Sequence, residues 1–317
     1  MKSIMQKDLW SITSFLENKN YKFNKENILT QLPEKFIDEA IKAISSWDNY
    51  APTPLVKLNK LNDELKFKNI YYKDEDKRFD LKSFKALGGA FAVYKIASEK
   101  KNITVSTATA GNHGRSVAWG AQRLGLKCKI FISEFVSESR AEAMRKLDAE
   151  VIRVKGNYDN SLKECIKQSK ENNWEIVQDV SWEGYKEVPK LIMAGYTIMI
   201  KEILDEVKSN SISHVFLQAG VGGMAAAMIA GFAKLSQNIP KFIIVEPENA
   251  DCVFQSIKNN KPTSVDIKKE TVMGGMSCGD VSSIAWEILK NSSNYCLTIS
   301  DEAISTTVAL LAEKRLS

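Results

Sequence analysis

The stretch that decides the fold is His214-Val215-Phe216-Leu217-Gln218-Ala219-Gly220-Val221-Gly222-Gly223-Met224. An apolar run reads as a strand ending at Gln218. A glycine-rich turn follows, and an alanine-rich helix runs from Met224 to Leu235. A second apolar run, Lys241 to Val245, reads as the next strand. Strand, turn, helix and strand in that order make a βαβ unit, whose strands lie parallel in one sheet. Glycines in such a turn let backbone N–H groups approach an anion at the helix N-terminus, where the dipole favours negative charge. No Gly-Lys-Ser/Thr follows, so the turn is not a Walker A loop. It also lacks the full GxGxxG spacing and a clear ribose-binding acid, which disfavours a dinucleotide. A phosphate site and a ligand-free tight turn remain the two readings.

The same rhythm extends through the chain. Strands read at Asn69–Tyr72, Ile103–Thr107, Lys127–Ile132, Val151–Val154 and Glu175–Val177. Helices read at Ser83–Glu99, His113–Leu124, Glu138–Leu147, Tyr158–Glu171 and Pro189–Val207. The first 50 residues are charged and helical in pattern, and Ala51-Pro52-Thr53-Pro54-Leu55 reads as an extended entry segment. The fold class expected is α/β, with two open parallel-sheet lobes and helices on both faces. Residues 1–82 would form an N-terminal segment and part of the large domain, 83–193 the small domain, and 194–317 the rest of the large domain. Ligands in such sheets bind beyond the carboxyl ends of the strands, where the glycine-bearing turns lie.

Composition excludes several classes. The chain has 317 residues, about two domains' worth. Its 44% hydrophobic and 26% charged residues are ordinary for a globular protein and unlike a disordered or coiled-coil chain. Forty-four Lys and Arg against 39 Asp and Glu leave a formal charge of +5, thinly spread, with no basic block interleaved with aromatics. Nucleic acid is therefore not an expected partner. No apolar run approaches a membrane span, and the first eight residues lack an unbroken apolar leader, so neither a membrane nor a signal peptide is expected. Cys128, Cys165, Cys252, Cys278 and Cys296 have no CxxC spacing, which fits reduced cytosolic thiols; whether Cys252 and Cys278 pair is left open. Two histidines, His113 and His214, are too few for a His-rich metal site.

Two further stretches carry chemistry. In Ser83-Phe84-Lys85-Ala86-Leu87-Gly88-Gly89 a lysine sits at a helix start among small and apolar neighbours. Partial desolvation near the positive end of a helix lowers a lysine's pKa, as a Schiff-base lysine requires; a plain surface lysine is the alternative. In Thr107-Ala108-Thr109-Ala110-Gly111-Asn112-His113-Gly114 a strand passes into a helix through small residues. Asn112 and nearby N–H groups suit a polar ligand group, or the segment is an ordinary helix cap. Together, a lysine, an Asn-Gly loop and a glycine-rich turn match what pyridoxal phosphate needs for its aldehyde, ring hydroxyl and phosphate.

From about Tyr50 onward the chain resembles the fold-type II pyridoxal-phosphate enzymes, and within them the diaminopropionate ammonia-lyases. The resemblance rests on Pro52-Thr53-Pro54-Leu55, Lys73 to Phe79, Ser83 to Ala90 and Gly111 to Arg115. It continues through Val177-Gln178-Asp179, Trp182-Glu183-Gly184-Tyr185, Ile192 to Tyr196, Gln218 to Gly222, Val245-Glu246-Pro247, Ala250-Asp251-Cys252, Gly275 to Gly279 and Trp286 to Leu289. The resemblance implies pyridoxal 5'-phosphate held between the lobes, with Lys85 as Schiff-base lysine and proton shuttle. It implies Asn112 at the ring hydroxyl, and Gly220, Val221, Gly222, Gly223 and Met224 at the phosphate. Asp179 would contact the distal amine of a small amino-acid substrate, with Ser83, Thr109, Ala110, Gly111, His113 and Tyr185 as further substrate contacts. The implied reaction is α,β-elimination of 2,3-diaminopropionate to pyruvate and ammonia by a cytoplasmic homodimer.

Two departures shape the expectation. Ala110 stands where the ammonia-lyases typically carry an Asp implicated in handling the D-isomer, so L-substrates are expected to be preferred. The chain stops at Lys314-Arg315-Leu316-Ser317, before a Ser-Gly-Glu-Ser-Gly-type loop that normally partners the ring nitrogen. A missing C-terminal part is expected, through truncation, a split chain or a degraded gene. An L-threonine or L-serine dehydratase-like enzyme and an inactive pyridoxal-phosphate-binding relative are the alternative functions.

Overall fold

The computed structural model describes residues 12–315. The leader reading of residues 1–8 and the last two residues, Leu316 and Ser317, lie outside the described residues. The strands described are β1 (Ile12–Glu17), β2 (Leu55–Lys57), β3 (Tyr71–Lys73), β4 (Thr104–Ala108), β5 (Lys127–Ser133), β6 (Ala149–Val154), β7 (Glu175–Ile176), β8 (His214–Gln218), β9 (Lys241–Pro247) and β10 (Tyr295–Ile299). The chain divides into two compact units. Of the described residues, the first comprises 12–28, Pro52–Asp74 and 200–315, and the second Leu29–Ala51 and Glu75–Met199.

The second unit is built on a parallel sheet in the order β6-β5-β4-β7. Its central strands read as near-continuous small and apolar runs, because a parallel strand covered on both faces has no solvent side. Val105, Ala108, Ile130, Phe131 and Ile132 are fully buried. The buried hydroxyl of Ser106 meets that of Ser169 at 2.7 Å, so it enters the core satisfied. The helix Lys85–Glu99 is buried along most of its length, from Ala86 to Val93. It packs on the helix Glu187–Tyr196 so closely that a Cβ on Gly88 would lie 2.5 Å from the Ile192 carbonyl oxygen. Only glycine permits that approach, which anchors the helix whose first residue is Lys85.

The first unit carries a four-stranded sheet in the order β1-β10-β9-β8. β8, β9 and β10 run parallel, and β1 is antiparallel to β10. The helix Gly223–Leu235 is buried almost throughout, with Phe232 set edge-on to Phe242 of β9 at 5.6 Å. The short strands β2 and β3 pair antiparallel, and β3 carries an ion pair to a buried carboxylate. Lys73 Nζ lies 2.6 Å from Glu202 Oε2 and also donates to the Thr53 carbonyl at 2.6 Å. That contact ties the Pro52-Thr53-Pro54 segment to the helix Ile198–Glu206.

The structure departs from the pattern reading in several places. Residues 12–17 form a strand where a helical pattern was expected, because β10 offers a backbone ladder to Ile12–Glu17 and strand formation depends on such a partner. The single helix expected over Pro189–Val207 is two, Glu187–Tyr196 and Ile198–Glu206. The Thr197 hydroxyl donates to the Ala194 carbonyl at 2.6 Å and its N–H bonds the same oxygen, which tightens the turn there. Beyond Val245, where the pattern reading places no elements, the first unit adds the helices Cys252–Asn259, Ser283–Ser292 and Glu302–Arg315 and strand β10. Among the described residues no helix is long and apolar enough to cross a membrane.

Candidate active site

Lys85 opens its helix, and the Ser83 hydroxyl accepts the Lys85 N–H at 3.2 Å, giving one first-turn donor a partner. The Lys85 carbonyl accepts from the Ser116 hydroxyl at 2.5 Å, while Ser116 Oγ accepts the Ala90 N–H at 3.2 Å. One serine thereby locks this helix to the helix Asn112–Arg123. The Phe84 ring stands edge-on to Tyr196 at 5.1 Å, and Lys85 Nζ lies 5.9 Å from the Phe84 ring centre.

Asp179 is placed by its neighbour. Gln178 is buried, and its amide oxygen accepts from Thr107 Oγ1 at 2.9 Å and the Ala108 N–H at 3.1 Å. Its amide nitrogen donates to the Ala108 carbonyl at 3.0 Å and to the Tyr158 hydroxyl at 2.7 Å. The Tyr185 hydroxyl accepts the Gln178 N–H at 2.9 Å and donates to the Ile176 carbonyl at 2.8 Å, with its ring stacked on Trp182 at 4.2 Å. The segment leading out of β7 is thus fixed to the end of β4, and Asp179 emerges from it.

There Asp179 Oδ2 lies 2.5 Å from Lys85 Nζ and 3.8 Å from His113 Nδ1. Burial alone would push the Asp179 carboxyl up, but the facing His113 and Lys85 groups and the Lys85 hydrogen bond outweigh it. The carboxyl is held well below the usual carboxylate range. His113 goes the other way. Burial drives its pKa down, and Asp179 offsets only part of that. At neutral pH the ring is therefore neutral, and the Lys85 ammonium is the charge that keeps Asp179 ionised. His113 Nε2 lies 2.8 Å from the Val177 carbonyl oxygen. A carbonyl only accepts, so Nε2 carries the proton and Nδ1 presents a lone pair. Burial also pushes the Tyr196 phenol up, so it stays neutral, and its hydroxyl has no partner among the described residues.

The loop before His113 is braced by a threonine. Thr109 Oγ1 accepts the N–H groups of Gly111 at 3.0 Å and Gly114 at 3.2 Å. Ala110 is exposed, and its carbonyl accepts from Arg140 at 3.3 Å. Asn112, the first helical residue, projects to solvent. The structure thus gathers Lys85, Asp179 and His113, with Ser83 and the Thr109–Asn112 loop adjoining them in sequence. The Tyr185 hydroxyl is committed to backbone groups.

The glycine-rich turn belongs to the first unit. Gly222 caps the helix Gly223–Leu235 with φ of 86°, and a Cβ there would lie 2.8 Å from Leu289 Cδ1. The turn's carbonyls point into the fold: Val221 accepts from Ser282 N–H at 2.9 Å, Gly222 from Ala226 N–H at 2.9 Å and Gly220 from the Cys252 thiol at 3.4 Å. The N–H groups of the helix's first turn remain as donors for an anion. All five cysteines are free thiols, Cys252 and Cys278 included.

Residues 47–316 match the family described as Pyridoxal-phosphate dependent enzyme. The chain belongs to that family. Among the pyridoxal-phosphate dependent enzymes it is 35% identical to diaminopropionate ammonia-lyase of Escherichia coli K12 over 284 residues, 83% of this chain and 71% of that protein. It is 30% identical to the biosynthetic L-threonine dehydratase of Haemophilus influenzae over 67% of this chain and 39% of that protein. A crystal structure of the Escherichia coli diaminopropionate ammonia lyase in complex with D-serine superposes with a TM-score of 0.84 at 31% identity, over 92% of this chain and 78% of that chain.

The residues present fit the cofactor. A partly exposed primary amine at Lys85 suits an aldehyde, and the Gly222 cap at the start of a 13-residue helix suits a phosphate. Gln178 and Tyr196 are the residues that sequence reasoning passed over. Both lie in stretches quoted for the resemblance, yet nothing local marks a glutamine as the clamp for a strand 70 residues away.

Proposed function

We propose that this chain is a pyridoxal-phosphate dependent carbon–nitrogen lyase that eliminates the distal amine of 2,3-diaminopropionate, releasing pyruvate and ammonia. The observation that carries the reading is the Lys85–Asp179 pair, 2.5 Å apart. A carboxylate held ionised beside the cofactor lysine recognises a cationic side-chain amine better than a neutral hydroxyl. Pyridoxal phosphate, when bound, supplies an electron sink for the Cα carbanion. Lys85 holds the cofactor and moves the Cα proton, Asn112 holds the ring hydroxyl, and the turn from Gly220 to Met224 holds the phosphate. Ser83, Thr109, Ala110, Gly111, His113 and Tyr185 frame the substrate. Ala110 cannot accept a proton, so the enzyme acts on the L-isomer in preference to the D-isomer. Ala110 also favours a second reading, an L-threonine or L-serine dehydratase. The working form is read as a cytoplasmic homodimer on the family resemblance.

The test is pyruvate release from L- and D-2,3-diaminopropionate, L-serine and L-threonine, followed with the visible absorbance of the bound cofactor. The expected result is fastest release from L-diaminopropionate, loss of both the visible band and turnover in Lys85→Ala, and a gain on the D-isomer in Ala110→Asp. Faster release from threonine or serine would replace the lyase reading with the dehydratase one. Equal wild-type rates on the two enantiomers would remove the L-preference.

A further inference from the structure

His113 Nδ1 is a buried acceptor with no hydrogen-bond partner among the described residues. Burying such an atom costs free energy unless something fills the place. Its neighbour within reach, Asp179 Oδ2 at 3.8 Å, is also an acceptor. In the neutral tautomer set by the Val177 carbonyl no proton lies between the two. Lone pair and carboxylate face each other, and only a donor lying between them relieves the opposition.

The geometry suits one kind of donor. A nitrogen bonded to both acceptors at ordinary length sees them at an angle of about 80–85°, which two hydrogens of one ammonium meet with modestly bent bonds. A hydroxyl has one hydrogen and satisfies one acceptor only. The Lys85 ammonium now takes the Asp179 half of this pair. Once Lys85 Nζ is committed to the cofactor, the place is free for another ammonium.

We propose that His113 Nδ1 and Asp179 Oδ2 form a two-acceptor seat for the distal ammonium of a diamino acid, so that His113 is a specificity-determining residue selecting β-amino over β-hydroxy substrates. The inference rests on the lyase reading above and names the group that enforces its substrate class. Holding the distal nitrogen as an ammonium also prepares it to leave. The Cβ–N bond breaks, its electron pair stays on nitrogen, and the group departs as neutral ammonia. The Val177 carbonyl is part of the device, because it denies Nδ1 the proton while the ring is neutral.

Two substitutions separate this role from a structural one. In His113→Gln the longer amide keeps a donor toward the Val177 carbonyl and loses the Nδ1 acceptor. In His113→Asn the amide oxygen keeps an acceptor near Nδ1 and gives up the Val177 bond. The expected result is a fall of at least about tenfold in kcat/KM for 2,3-diaminopropionate in His113→Gln, the loss typical of a hydrogen bond to a charged group. Serine turnover should fall by a clearly smaller factor, and His113→Asn should recover most of the diaminopropionate activity. Equal losses on both substrates would overturn the proposal.

The second readout needs no turnover. The chain has two histidines, so ¹⁵N-histidine labelling gives a spectrum that His214→Gln assigns. In Lys85→Ala loaded with pyridoxal phosphate, the Nδ1 resonance of His113 should move as that of a hydrogen-bonded acceptor when 2,3-diaminopropionate is added, and stay in place with serine. An unmoved resonance at saturating diaminopropionate overturns the seat. A moved resonance with no pyruvate from the wild-type holoenzyme leaves the seat standing and removes the lyase reading instead. If His113→Gln fails to fold, His113→Asn and the resonance decide the matter.

Discussion

At the scale of single residues, buried carboxylates behave oppositely according to what faces them. Asp179 meets an ammonium and stays ionised. Glu246, on β9, meets backbone dipoles and no cation among the causes of its shift. Its oxygens accept the N–H groups of Val253 at 2.9 Å and Phe254 at 2.6 Å. Burial still outweighs those bonds, and with the Asp251 charge it pushes the Glu246 carboxyl up to about 8. Between its ordinary value and about 8 the folded chain therefore holds a proton that the unfolded chain has lost. Stability contributed by this group is intact below the unfolded pKa and falls as pH rises toward 8. Urea unfolding from pH 5 to pH 8.5 should show wild type losing on the order of a few kcal/mol relative to Glu246→Gln across that range. Parallel curves for the two proteins would show that Glu246 is ionised throughout.

At the scale of elements, the decisive joint is the one between β4 and the segment that carries Asp179. Three hydrogen bonds from one glutamine amide to Thr107 and Ala108 make it, and a fourth reaches Tyr158. Gln178→Leu would keep the volume and strip the amide partner from the Thr107 hydroxyl and both Ala108 backbone groups. The expected loss is about 2–4 kcal/mol, read from denaturant midpoints at unchanged slope. A smaller loss would mean that water or Tyr158 replaces the amide. The elements themselves were partly legible. The strands β4, β5, β8 and β9 and the helices at Lys85, Asn112 and Gly223 follow from apolar runs and small-residue turns, because those signals are local. Strand β1 was not, since Ile12–Glu17 becomes a strand by pairing with β10 at the other end of the chain. The break at Thr197 was also hidden, because it depends on one hydroxyl reaching back to Ala194.

At the scale of the whole molecule, the chain crosses between its two units several times: Leu29–Ala51 joins Glu75–Met199, while Pro52–Asp74 joins the residues after Ile200. Composition and periodicity by themselves carry no sign of such interleaving. Folded chain alone offers the cofactor an arranged set of groups. Pyridoxal phosphate at about a hundredfold over its dissociation constant should therefore stabilise the apo protein by about 2.7 kcal/mol. That is a rise of several degrees in Tm by calorimetry, most of it absent in Lys85→Ala. An equal rise in that variant would place the cofactor's binding energy elsewhere than on Lys85.

The sequence by itself determined the α/β class, the parallel strands, the glycine-rich turn ahead of an alanine-rich helix, and the chemistry that points to pyridoxal phosphate. Each depends on neighbours within a few residues, or on residue types whose order alone is diagnostic. Tertiary structure decided what Lys85 faces. Asp179 stands 94 residues away in sequence, and His113 reaches it from a third segment. Which charges meet, which ring nitrogen keeps its lone pair and which carboxylate stays ionised depend on desolvation and distance. Those exist only after the strands have paired and the helices have packed against them.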